Sequence, residues 1–397
     1  MSAKVRRLAA WRTRAGVACV VALALPNLVQ AGTWNTEPSV SLASEYSSNP
    51  RLVQTDTHPV ESAALTVTMP ATYTGTRQTL DVRPQLRAAA THGDTELISD
   101  FQYFDATWRV NWPTQLLQLG SFLHHDSTLY NQFENGALLA ATQRRTEQNA
   151  TLDWQNRMTE RVTLRTDLSY DRVAYGQLAR SDLSDYRYLQ ASLGLSRDLS
   201  ERTLWTLSAG SSRYDLIDQD YRNDNPFVRM TLTSQLSEAW TLTVGAGASS
   251  LRARSQIGPY VSRSRRTLPN FNLALEHHYP HGAMSFTLSR SIQPSGFGAL
   301  LTQDNLTLMR SATWSERWSG SAVLRASRQL DSLRQLNLGD RRYYSGEFTA
   351  NWLWREQLTL SAELGFSTQR YASNLPQPSS TAVYLTLTRQ FYRKPLH

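Results

Sequence analysis

Two histidine pairs are the groups in this sequence best suited to chemistry: His124-His125, followed by Asp126, and His277-His278. Imidazoles beside a carboxylate can serve a zinc ion or a hydrolytic nucleophile when they converge on one point. Each pair falls in a segment of alternating polarity, which reads as a β-strand, and neighbours in a strand point to opposite faces. Neither pair can then ligate one metal without help from elsewhere, and both read as polar residues at a rim. Serine is so frequent that no Ser/His/Asp assignment stands out, so no catalytic residue is assigned and the chain is not read as an enzyme. Glycine supplies no phosphate loop either. Gly245-Ala246-Gly247-Ala248 lies inside a strand and Ser295-Gly296-Phe297-Gly298 in a loop, and neither leads into a helix pattern or a Gly-Lys-Ser/Thr signature. No cofactor and no metal are expected.

The remaining polar side chains are spread over many segments at alternate positions. They include Arg165, Asp167, Asp171, Gln190, Arg229, Asn272, Glu276, Arg325, Glu347, Asn351, Glu363 and Gln390, with Ser192, Thr231, Thr233, Asn270, Tyr188 and Tyr384 in the same phase. If the opposite face of each segment meets lipid, these residues line a lumen. A wall carrying both charge signs, hydroxyls and amides interacts weakly with many hydrated solutes, as conduction requires. After Ala31 the basic residues are all arginine except Lys394. Arginine among carboxylates braces a lumen or sets an electrostatic filter, and bracing is the favoured reading.

The segments that must position these residues recur about every 40 residues as a tight polar turn, an alternating strand, a long polar connection and a second alternating strand. From Gln357 to Gln369, Leu358, Leu360, Ala362, Leu364 and Phe366 oppose Thr359, Ser361, Glu363 and Ser367. Strand starts are predicted near Ser39, Ala63, Leu80, Phe101, Leu116, Asn149, Val162, Tyr188, Leu204, Phe227, Thr241, Phe271, Met284, Asn305, Gly320, Tyr344, Leu358 and Ala382. These give about 18 strands, with 16 the competing count. Short turns fall near Gly75, Pro113, Thr159, Ser200, Ser237, His281, Ser315 and Arg355. Long connections fall at 47–61, 90–100, 125–147, 174–185, 214–225, 251–267, 293–304, 329–342 and 369–380. A soluble sandwich also alternates. The membrane reading is favoured by the asymmetry of the connections, by tryptophans gathered near the short turns, and by the N-terminal segment.

That segment holds Lys4, Arg6, Arg7, Arg12 and Arg14, an apolar run from Ala15 to Leu25, and the triplet Val29-Gln30-Ala31. It reads as a signal peptide spanning 1–31, with a single barrel domain over 32–397. It carries five of the 41 basic residues and none of the 33 acidic ones, so removal leaves 36 against 33, a net of +3. The formal charge of +8 then gives no support for a nucleic-acid partner. The single cysteine, Cys19, leaves with the signal. No later apolar stretch approaches the ~20 residues of a spanning helix. The fold class expected is all-β, a transmembrane antiparallel up-and-down barrel in the outer membrane of a Gram-negative cell.

Two features resemble a family of outer-membrane β-barrel porins associated with exopolysaccharide biosynthesis and export loci. One is the opening strand with its Asn-containing first loop, Ser44-Glu45-Tyr46-Ser47-Ser48-Asn49-Pro50; the other is the repeated Ser-Glu-Arg turn, as at Ser200-Glu201-Arg202 and Ser315-Glu316-Arg317. Family members often carry Asp where this chain has Ser48. The resemblance implies a passive conduit for an exported polysaccharide, working with a periplasmic polysaccharide export protein. A final alternating strand closed by Phe391 resembles the signal read by barrel-assembly machinery, and outer-membrane lipid is the remaining expected partner. A general diffusion porin for small hydrophilic solutes is the alternative, with a barrel enzyme or a structural, adhesive barrel behind it.

Overall fold

A strand rich in Thr, Leu, Val and Tyr leaves a backbone donor and acceptor on each edge, and in lipid only a neighbouring strand can satisfy them. The computed structural model describes residues 32–54, 57–93, 98–128, 143–176, 183–257, 260–333, 340–370 and 377–391, and nearly all of these join one antiparallel sheet of twenty β runs. The chain opens with β1 (Thr33–Thr36), β2 (Ser39–Ser47), β3 (Val60–Thr68) and β4 (Ala71–Thr74). There follow β5 (Gln78–His92), β6 (Phe101–Asn111), β7 (Gln115–Ser127), β8 (Arg144–Thr159), β9 (Val162–Tyr175) and β10 (Tyr186–Ser200). The second half holds β11 (Thr203–Leu216), β12 (Tyr221–Gln235), β13 (Trp240–Ile257), β14 (Tyr260–Tyr279), β15 (Gly282–Pro294) and β16 (Leu300–Thr313). It ends with β17 (Trp318–Asp331), β18 (Arg341–Arg355), β19 (Leu358–Arg370) and β20 (Ser379–Gln390).

Two pairs of runs are single staves. β1 and β2 face β4 and β3 in one unbroken register, from Thr33 opposite Thr74 to Ser47 opposite Val60. Only Pro38 and Pro70, which have no N–H to give the ladder, interrupt them. The twenty runs are thus 18 staves, and antiparallel pairing of β2 with β20, from Ser39–Gln390 to Ser47–Ala382, closes the barrel. The tight turns carry their own capping. At Ser315-Glu316-Arg317 the Ser315 hydroxyl accepts hydrogen bonds from the N–H groups of Arg317 (3.3 Å) and Trp318 (3.2 Å). At the first loop the Asn49 side chain clasps Val53, donating to its carbonyl (2.9 Å) and accepting from its N–H (3.1 Å), which explains the asparagine in that motif.

Period two sorts the side chains. On β10, Leu189, Leu193 and Leu195 face outward and are 41–54% exposed, while Tyr186, Tyr188, Gln190 and Ser192 face inward. Val228, Met230 and Leu232 on β12, and Val383, Leu385 and Leu387 on β20, continue the outer apolar belt. At the short-turn end Trp318, Trp352 and Trp354 stack at 5.8 and 6.0 Å, an aromatic girdle at the membrane boundary.

The structure corrects three of the long connections. Residues 251–267 are not a loop: β13 and β14 continue as a paired hairpin to Ile257 and Tyr260. Residues 214–225 are mostly strand, with β12 starting at Tyr221, and the 293–304 loop shrinks to the residues between Pro294 and Leu300. The signal segment and the six residues after Phe391 lie outside the described residues.

Facing can be read by cysteine labelling, because the sequence holds a single cysteine, Cys19, against which an unsubstituted barrel serves as the blank. Ser192→Cys and Thr231→Cys should react with a charged, membrane-impermeant thiol reagent in the folded barrel. Leu193→Cys and Leu232→Cys, one residue along, should react only with an apolar maleimide.

Candidate functional site

The inward face is polar over most of its height but not at the long-loop end. There Val173, Tyr186, Tyr188, Tyr214, Leu251 and Leu268, all on the inward register, form a buried apolar cluster with Leu216 and Leu300. The connection between β15 and β16 covers it. Tyr214 donates its hydroxyl proton to the Ser295 carbonyl (2.8 Å), and the Ser184 N–H, just ahead of β10, donates to the Gly296 carbonyl (2.8 Å). β11 is four staves from β15, so these bonds draw the β15–β16 tip into the lumen and onto the wall formed by β9–β11. Gly298 has φ +82°, a left-handed turn that glycine makes at no steric cost, and a Cβ on Gly296 would lie 2.5 Å from the Tyr175 hydroxyl. A second tie comes from β17: Arg266 on β14 donates to the Ser332 carbonyl (2.9 Å), and Ser332 and Thr302 share a hydroxyl hydrogen bond (2.9 Å).

Below this tip are two lumen cavities. One, of about 570 Å³, is lined by Arg165, Asp167, Gln190 and Arg229, with Asn225 and Asn270. The amide nitrogens of the two asparagines donate to Ser212 (3.3 Å) and Ser249 (3.1 Å). Their carbonyl oxygens find no hydrogen-bond donor among the described residues. The other cavity, of about 790 Å³, is lined by Asp171 and Arg325 together with Glu147, Tyr188 and Tyr343. Of the residues assigned to the lumen, the structure brings ten to the cavities: Arg165, Asp167, Asp171, Gln190, Arg229 and Arg325, with Tyr188, Ser192, Thr231 and Asn270. Asn272, Glu276, Glu347, Asn351, Glu363 and Gln390 share the inward register but lie outside both.

Most of the inward arginines are braced. Arg165 pairs with Asp153 and with Asp167 (3.0 Å), whose other oxygen accepts from Ser192 (3.0 Å). Arg325 pairs with Glu347 (2.6 Å), and Arg87 with Glu45. Arg229 differs: it is exposed to the lumen and has no ion pair among the described residues. The strongest network was not visible in the sequence. Arg145, 4% exposed, forks both Nε and Nη2 onto Asp126, 1% exposed, at 3.0 and 2.9 Å, and reaches Glu147 with Nη1 at 2.9 Å. Tyr103 donates to the same Asp126 (2.9 Å). The alternation of β7 and β8 carries the signal, since it sets Asp126 opposite Arg145, but only the strand register makes them partners.

The histidine pairs split across the wall. His124 faces inward with Nε2 2.8 Å from Asp105, and His125 faces outward beside Thr146 at 2.9 Å. His277 stacks on Trp240 at 4.2 Å on the outer face. No group of three His, Cys, Asp or Glu side chains is placed to hold a metal among the described residues.

No family model matches the chain, and no curated protein matches it. Solved structures do match in fold. A BenF-like porin from Pseudomonas fluorescens Pf-5 is 12% identical with TM-score 0.48, over 90% of this chain and 99% of that one. Pseudomonas aeruginosa OccK2 (OpdF), in complex with glucuronate, is 12% identical with TM-score 0.46, over 90% and 98%. The copper transporter OprC is 11% identical with TM-score 0.51, over 89% of this chain and 64% of its own. Identities this low speak to fold alone. A closed 18-stave antiparallel barrel with an apolar outer belt is an outer-membrane β-barrel, and that is where this chain resides.

Removing one member of a buried ion pair leaves its partner charged and unsatisfied. Arg145→Met should therefore lower the stability of the folded barrel by about 3–5 kcal/mol, read as a lower urea midpoint in lipid vesicles. Adding Asp126→Asn to the same variant should recover part of that loss.

Proposed function

We propose that this protein is a passive channel for small hydrophilic solutes, and that the β15–β16 tip sets its size limit. One observation carries the reading: the tip folds inward from β15 to hydrogen-bond Tyr214 on β11, so the mouth is narrower than the barrel. An unobstructed barrel of this many staves would hold a wide aqueous pore. The polymer conduit implied by the family resemblance needs that width, and the inward tip argues against it. The comparisons likewise give no support to an exopolysaccharide role.

The lining supports small polar cargo. The two cavities, of about 570 and 790 Å³, are of the size that takes small molecules. Their walls offer hydroxyls, the two asparagine carbonyls and paired charges, a surface that can replace part of a solute's hydration without holding it fast. Arg229, unpaired in the smaller cavity, adds a positive potential that favours anions there.

The reading is tested in planar bilayers and by vesicle swelling. Wild-type barrel should pass monosaccharide-sized solutes and exclude large dextrans, while a variant with residues 295–299 replaced by a two-residue turn should conduct several-fold better and admit larger polymers. Equal dextran entry through both would refute a size limit set by the tip. In a salt gradient, Arg229→Ala should move the reversal potential toward cation preference.

A further inference from the structure

The outward face of β13 and β14 changes character abruptly with height. On β13 it reads Trp240, Leu242, Val244, Ala246 and Ala248, then Ser250, Arg252 and Arg254. From Trp240 to Arg252 is roughly 40 Å along the strand, or ~30 Å of height at a ~40° tilt, just beyond a ~25 Å apolar band. On β14 the same face carries Phe271 and Leu273 in the belt and Arg265 and Arg263 above it. The four guanidiniums therefore stand where acyl chains give way to headgroups.

They stand there unmatched. Arg252 pairs in register with Arg265, and Arg254 with Arg263, so like charges lie directly opposite, which destabilises a hairpin left to itself. All four are exposed, and none has an ion pair among the described residues; Arg265 reaches only the Ser250 hydroxyl, at 3.4 Å. The acid across from Arg252 on β12 is Asp224, and it is already engaged by Arg213 (3.0 Å) and Arg222 (3.1 Å). Asp215 lies opposite Arg222, and Asp218 and Asp220 sit in the connection above. Three arginines elsewhere on the outer wall are matched: Arg290 forks onto Asp304, and Arg328 and Arg342 share Asp340. The upper part of β14, residues 260–270, pairs with β13 alone, so the edge beside the cluster is open.

We propose that this face of the β13–β14 hairpin is a lipopolysaccharide site. Arg252, Arg254, Arg263 and Arg265 grip the phosphate groups on the glucosamine backbone of one outer-leaflet molecule, whose acyl chains lie against Val244, Ala246 and Phe271 below. The planar guanidinium fork matches phosphate oxygens two at a time, and the phosphates relieve the repulsion between the paired arginines. The site depends on the barrel and its orientation and not on what passes through the lumen.

The experiment uses the whole barrel extracted from outer membranes in detergent, with lipopolysaccharide counted per barrel after a salt wash. Wild type and an Arg161→Gln, Arg197→Gln control at the short-turn end should retain it. A variant carrying R252Q, R254Q, R263Q and R265Q should bind it roughly a thousandfold more weakly, with heat-modifiable migration in electrophoresis reporting that it has folded. A second arm needs no variant: lipid-stripped wild type should be protected from thermal unfolding by purified lipopolysaccharide, but not by the same material after dephosphorylation, nor by inorganic phosphate alone. Retention by the folded quadruple variant, equal protection by dephosphorylated lipid, or protection by inorganic phosphate alone would each overturn the site.

Discussion

A backbone amide in hydrocarbon has no water to turn to, and this constraint shapes the whole chain. Eighteen staves can satisfy it only if the last pairs with the first, as β20 does with β2. Closure in turn commits every residue to one of two faces, because a slip of one position would turn the leucines of β10 or β20 into the water-filled interior and their serines into lipid. The prolines that interrupt two staves, Pro38 and Pro70, are tolerated because they sit near the short-turn end and cost the ladder only their own missing donors. The Pro38 carbonyl still accepts a bond from Phe391 (2.8 Å). Function on the inside and lipid contact on the outside are both consequences of this one alternation.

What the sequence made legible follows from which signals are local. Period-two alternation and Ser-Glu-Arg turns are written within ten residues, so staves such as β9, β17 and β19 could be placed within a few residues of where they lie. The β13–β14 hairpin was misread as a loop for a physical reason. Above the membrane its outer face meets water, so Arg252, Arg254, Arg263 and Arg265 replace leucine there and the outer apolar rhythm stops although the ladder does not. The first-loop asparagine was visible as a motif, but its task, clasping Val53, was not. The alternation also gives the phase that Arg165, Arg229 and Arg325 share. Which of them is paired depends on neighbours brought close by register, and register is not written in either strand alone.

The inward tip shows the same limit more sharply. Tyr186, Tyr188 and Tyr214 sit on the face that alternation reserves for polar groups, and in a plain water-filled pore their rings would gain nothing there. Buried beneath Ser295 and Leu300, they give the barrel the dry core it otherwise lacks, at one end of the lumen and made largely of inward-facing residues. Large side chains in the polar phase of a barrel strand are therefore a readable sign that something folds over them. The sign does not say what: the covering segment lies about 80 residues away from Tyr214, and two glycines, Gly296 and Gly298, are what let it turn.

That core also explains why the lumen is divided rather than uniformly narrowed. Hydrophobic burial anchors the tip to the β9–β14 side, while the Arg325–Glu347 and Arg165–Asp167 pairs brace the wall below it without filling the space. Arginine suits this bracing because its fork reaches across strand spacing to two carboxylate oxygens and stays charged at any pH the cell meets. The same residue type then does opposite work on the two faces. Inside, Arg87, Arg145, Arg165 and Arg325 are neutralised by neighbouring carboxylates, which keeps the passage from binding ions tightly. Outside, on β13 and β14, they are left without carboxylates where the membrane itself can supply anions. A side chain that braces one face of a strand can thus bind lipid from the other, and the alternation decides which.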